Sequence, residues 1–77
     1  MDRTQLHNLI DIAYNHGRIT ATDALNAAAR IRDSTNSTAS ILADIETAIT
    51  AKAVIDGTTR AAVDTELAAA LGLSTLL

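Results

Sequence analysis

No proline interrupts the 77 residues of this chain, and sixteen of them are alanine. Alanine is the strongest helix former and proline the strongest breaker. A chain so composed is expected to be all-α. Turn residues then decide where its helices stop. The glycines at 17, 57 and 72 and the polar run Asp33-Ser34-Thr35-Asn36-Ser37-Thr38 divide it into four segments. The expected architecture is a compact bundle of four short helices, built from two antiparallel helical hairpins, in a single domain over residues 1–77.

The first helix is predicted over about 3–16. Leu6, Leu9, Ile10, Ala13 and Tyr14 recur at the spacing of one buried stripe, Ile12 widens it, and Gly17 follows as a terminator. The second, over about 21–33, opens on Thr20-Ala21-Thr22-Asp23, with a hydroxyl at the N-cap and an acid three residues on, as in a capping box. Its inward face reads as Ala21, Ala24, Leu25, Ala28 and Ile31, small enough for a neighbouring helix to approach closely. The third, over about 38–55, follows a cap at Asn36 or Ser37 and carries the stripe Ile41, Leu42, Ile45, Ala48, Ile49 and Ala53. It is the most apolar segment and is expected at the centre of the fold. The fourth, over about 59–71, follows a cap at Thr58 or Thr59 and turns Val63, Leu67, Ala70 and Leu71 inward, leaving a tail over 72–77. Glycine–threonine corners thus recur at Gly17 and Gly57, forty residues apart. Under that shift Leu6 and Leu9 fall on Glu46 and Ile49, a poor match, so two similar hairpins are expected rather than a duplicated one.

Nine Leu, eight Ile and two Val, with Met1 and Tyr14, are all the large apolar side chains there are. A core without further aromatics is thin at this size. Small domains in that position draw on a disulfide, a metal or a partner chain. There is no cysteine, so a homo-oligomer or a protein partner is expected. The net charge of −3 is uneven: residues 1–38 hold four Asp and four Arg, and 39–77 hold five acids against Lys52 and Arg60. Neither half has the basic surplus that phosphate backbones require, which argues against nucleic acid as the partner. No run approaches the roughly 20 apolar residues of a membrane span, and no apolar leader follows Met1. Hence no membrane association is expected, and the cytoplasm is the default compartment.

Reactive chemistry is sparse. His7 and Asp11 are four apart on one helix face, half of a metal site, but zinc sites take three or four ligands. His16 falls near the opposite face, so no metal is expected. No serine or threonine sits in a nucleophile elbow, no glycine-rich loop is present to cradle a phosphate, and neither a cofactor nor a small-molecule substrate is implied. The acid pairs Asp44/Glu46 and Asp64/Glu66 are two residues apart, do not face each other on a helix, and read as solvated surface. Asp33-Ser34 ahead of a helix, in an acidic four-helix chain of this length, is similar to the acyl carrier proteins. That resemblance implies Ser34 as the attachment point of a phosphopantetheine arm. The sequence departs from the family at Thr35, where the family has Leu, in the helix that replaces its long first loop, and in lacking its run of Glu.

The segment 67–77 contains no charged side chain. An apolar terminus either packs or exposes a sticky patch. Leu67, Leu71, Leu73, Leu76 and Leu77 are therefore the candidate partner-binding residues, with docking onto the chain's own domain as the competing outcome. The expected function is that of a small acidic non-enzymatic protein acting through protein–protein binding or self-assembly, of the kind that phages and mobile elements encode as inhibitors of host factors or virion components. The competing functions are a nucleic-acid-associated regulator and an acyl-carrier-like protein.

Overall fold

In the computed structural model, which describes residues 1–76, each helix begins on a side chain that accepts a backbone N–H. Asp2 opens α1 (Arg3–Asn15) with a reciprocal capping box: Gln5 N donates to Asp2 Oδ1 at 2.8 Å, and Asp2 N donates to Gln5 Oε1 at 2.9 Å. Thr20 opens α2 (Ala21–Arg32), Ser37 opens α3 (Thr38–Asp56) and Thr59 opens α4 (Arg60–Leu71), each hydroxyl accepting from the amide three residues on. At Thr20 the bond is one-sided, because the Asp23 side chain is too short to reach back as a Glu would.

The helix ends follow from glycine. At Gly57 the backbone turns left-handed, φ 74°, and Thr58 N donates back to Ala53 O at 2.9 Å. The same turn closes α1 at Gly17 and α4 at Gly72. α2 has no such residue. Its last carbonyls are met from a distance: the Arg3 guanidinium donates to Ile31 O and Asn36 O, and Asn36 Nδ2 donates to Arg30 O at 3.1 Å. The loop itself is a turn in which Asp33 Oδ1 accepts from Thr35 N at 3.0 Å and Thr35 Oγ1 at 2.7 Å.

The short connections make consecutive helices pack together, as in a four-helix bundle. α1 and α3 each pack against the other three helices, and α2 and α4 do not meet. The centre is therefore the α1–α3 diagonal. The fully buried large side chains are Leu6 and Leu9 from α1, Ile41, Ile45 and Ile49 from α3, and Val63 and Leu67 from α4. α2 contributes only Ala27 and Ile31 to the buried core. The α1 and α3 stripes lie where their spacing put them, except for Tyr14, which is 50% exposed. On α2 the buried face is rotated from the predicted one: Ile31 goes inward as expected and Ala24 and Ala28 are half-buried, but Ala27 is buried instead, Ala21 is exposed and Leu25 is 68% exposed. A stripe made largely of alanine differs by only a methyl group between faces, so burial holds its rotation weakly. On α4, Ala68 is buried where Ala70 was expected, for the same reason.

Under the forty-residue shift several positions of the two hairpins agree in environment. Leu9 and Ile49, Ala13 and Ala53, Gly17 and Gly57, and Ala27 and Leu67 are matched in burial or backbone conformation. Leu6 falls on Glu46, and Glu46 is itself buried, 7% exposed.

Candidate functional site

Three polar clusters and one apolar surface carry whatever the molecule can do. The first cluster joins α1 to α4. The Glu66 carboxylate takes a two-pronged grip from Arg18, Nη2 to Oε1 at 2.7 Å and Nε to Oε2 at 2.9 Å, and His16 Nδ1 lies 3.1 Å from Oε2. Hydrogen bonds from Arg18 and then from His16 hold the Glu66 carboxyl down at about 2. The same bonds raise the Arg18 guanidinium above its ordinary value. His16 is thereby engaged in an ion-pair corner and not beside a nucleophile.

The second cluster lies between α2 and α3. Arg30 pairs with Asp44 and donates to Ser40 Oγ at 2.7 Å and Asn36 Oδ1 at 3.3 Å. It stands at the rim of a cleft of about 190 Å³ whose floor is Ile19, Ala27, Ile41, Ile45 and Ala48. The cleft exists because Ala27 is the only side chain of the middle of α2 that is buried against the core.

The third cluster is buried. Neither oxygen of Glu46 on α3 receives a hydrogen bond from a protein donor, and neither does Asp64 Oδ1 on α4. Arg60 stands beside both at ion-pair range, 3.7 Å from Glu46 Oε2 and 4.0 Å from Asp64 Oδ2. Burial first, then the neighbouring Asp64 carboxyl, pushes the Glu46 carboxyl up to about 7, against the pull of Arg60. The reading of these acids as solvated surface holds for Asp44, which is exposed, and is corrected for the other three. Glu46 is in the core, Asp64 is half-buried and Glu66 is in the α1–α4 corner. Glu46 lies in helical register with Leu42, Ile49 and Ala53, and that spacing is the signal that could have placed it inside.

The apolar surface is on the α1–α2 hairpin. Tyr14, Ala21, Ala24 and Leu25 line one groove, with Tyr14 and Leu25 both largely open to solvent. Val54 and Ile55 at the end of α3 are exposed as well, and Val54 stands at the forty-residue equivalent of Tyr14. An exposed Leu alone is ordinary; an aromatic and a leucine across a groove floored by alanine form a surface that another apolar side chain can enter.

The tail leucines sit elsewhere. Leu67 is fully buried and Leu76 is 5% exposed, both within the chain's own core, and Leu71 and Leu73 are half-buried against it. Leu77 lies outside the described residues. While the tail stays docked, Leu67 and Leu76 have no surface to give. His7 and Asp11 are exposed on α1, and among the described residues no three metal-ligating side chains converge. Ser34 is exposed in the α2–α3 turn, and Ser37, not Ser34, caps α3. No helix among the described residues is long and apolar enough to cross a membrane. No family model, curated protein or solved structure matches the chain.

Proposed function

We propose that this chain acts by binding protein, either a second copy or a different partner, through the α1–α2 face around Tyr14 and Leu25. The observation that carries the reading is Leu25: the one large apolar residue in the first two turns of α2 is 68% exposed, although the core has an open cleft on the other side of the same helix. Turning Leu25 inward would gain roughly 1.5–3 kcal/mol of burial. The helix forgoes that gain, and an interface is the natural place for it to be recovered. Five of the six cationic side chains are already engaged: Arg3 by carbonyls, Arg18 by Glu66, Arg30 by Asp44, Lys52 by Asp56 and Arg60 by Glu46 and Asp64. A phosphate-binding function finds little free charge to work with. In biological terms the proposal is a cytoplasmic accessory protein of a phage or mobile element, oligomeric or partner-bound, and non-enzymatic.

A photo-crosslinking residue in place of Leu25 tests it. The purified chain is irradiated alone and then in extract of the cells it comes from. An adduct in either arm supports the proposal and tells self-association from a different partner. No adduct in both arms, with a control crosslinker at exposed Asn8 behaving identically, refutes it.

A further inference from the structure

The forty-residue correspondence exposes two positions whose residues packing does not explain. Positions 6 and 24 of the first hairpin hold Leu6, fully buried, and Ala24, half-buried. Their equivalents in the second hairpin are Glu46 and Asp64. Two carboxyl groups thus stand where the first hairpin has two apolar side chains. Three of their oxygens are buried without a protein donor, and Arg60 stays outside hydrogen-bonding distance of Glu46. An acid pair of this kind is tolerable when a proton lies between the two groups and costly when both are charged, because low-dielectric surroundings weaken neither the repulsion nor the loss of hydration.

We propose that Glu46 and Asp64 form a proton-operated latch between α3 and α4, closed while Glu46 carries a proton and loosened when Glu46 ionises. This does not rest on the protein-binding proposal. The surrounding charges leave the latch to these two groups and Arg60. From the end of α1 and the α1–α2 connection, His16 and Arg18 are directed at Glu66 and not at Glu46. From α2, Arg30 meets α3 at Asp44. On α3 itself, Lys52 is paired with Asp56 at 2.8 Å.

The sign follows from linkage. Glu46 is raised from an ordinary 4.5 to about 7. Between those values the folded chain holds a proton that the unfolded chain has released, so the closed latch weakens as pH rises through that window. α4 and the docked tail are what it would release.

The test reads the Glu46 side-chain carboxyl by carbon NMR and the amides of Val63 and Leu67 on α4 by hydrogen exchange, corrected for the intrinsic pH dependence of exchange. The Glu46 carboxyl should titrate near 7. Protection of the α4 amides should fall by about a hundredfold from mildly acid to mildly alkaline pH, as a shift of this size implies. α2 amides, which do not touch α4, should hold constant. Glu46→Gln should remove the pH response of α4. The double variant Glu46→Leu with Asp64→Ala restores the pattern of the first hairpin and should remove it as well. Should Glu46→Gln fail to fold, the double variant and the wild-type titration still decide. A Glu46 midpoint in the usual carboxylate range overturns the latch. So does a pH response of α4 that survives either variant, or protection that falls equally in all four helices.

Discussion

Replacing Glu66 with Gln removes one negative charge from the α1–α4 corner while keeping its shape and its ability to accept hydrogen bonds. In the native chain that carboxylate is held at about 2 against an ordinary 4.5. Taken whole, a shift of that size corresponds to roughly 3 kcal/mol. Solvent reduces it, because the side chains of Glu66, Arg18 and His16 are 34%, 26% and 39% exposed. Exposed ion pairs are worth about 0.2–1 kcal/mol, and the two-pronged geometry with a third donor places this one at the upper end. A loss of about 1 kcal/mol is expected for Glu66→Gln at neutral pH. The folded-state value is depressed, so the stabilisation is present above 4.5 and disappears as pH falls toward 2. Urea unfolding followed by circular dichroism, repeated across acid pH, should show wild type and variant converging at the acid end. The gap should also narrow at high salt, as screening requires. A gap that stays constant with pH refutes the assignment, since the variant would then be losing packing and not charge.

Two further outcomes test the frame. Gly57→Ala should cost about 1–2 kcal/mol through backbone conformation alone, since a β-carbon there meets nothing within 4 Å while φ is 74°; an unchanged melting temperature would mean that α3 does not end on a left-handed residue. Deleting residues 73–77 should lower stability by roughly 1.5–3 kcal/mol through loss of the buried Leu76, and an unchanged denaturation midpoint would show that the tail is not docked in solution.

Large residues made the fold legible. On α1 the spacing of Leu6, Leu9, Ile10 and Ala13 identifies the buried face correctly, because rotating the helix would expose several large side chains at once. Caps and terminators are equally local, and Thr20, Ser37, Gly17 and Gly57 all act where their chemistry suggests. The errors lie where local signals are weak or the partner is distant. α2 offers alanine on most sides, so its rotation is held by Ile31, by the bonds of Arg3 to Ile31 O and Asn36 O, 28 and 33 positions away, and by the bond of Asn36 to Arg30 O. Glu66 finds Arg18 across 48 positions, which no spacing rule anticipates. Glu46 was legible in its register and hidden by its charge.

The two outer helices show how this bundle divides its labour. α2 and α4 occupy equivalent places on either side of the α1–α3 diagonal, yet they are attached differently. α4 brings Val63, Leu67 and Ala68 to the core and is tied by carboxylates on both sides, Glu66 to α1 and Asp64 beside Glu46 of α3. These ties have opposite responses to pH: the first is complete above 4.5, and the second weakens from there toward 7, so docking of α4 is strongest in mildly acid solution. α2 brings only Ala27 and Ile31 and is stitched at its C-terminal end by Arg3, Arg30 and Asn36. Its N-terminal part, from Ala21 to Leu25, is held by the Thr20 cap and brings only the half-buried Ala24 against the core. Evolution toward a stable monomer would place a large residue at position 27 and a polar one at 25. The sequence does the reverse: Ala27 is buried and Leu25 is 68% exposed, which leaves an apolar surface on the outward side of α2.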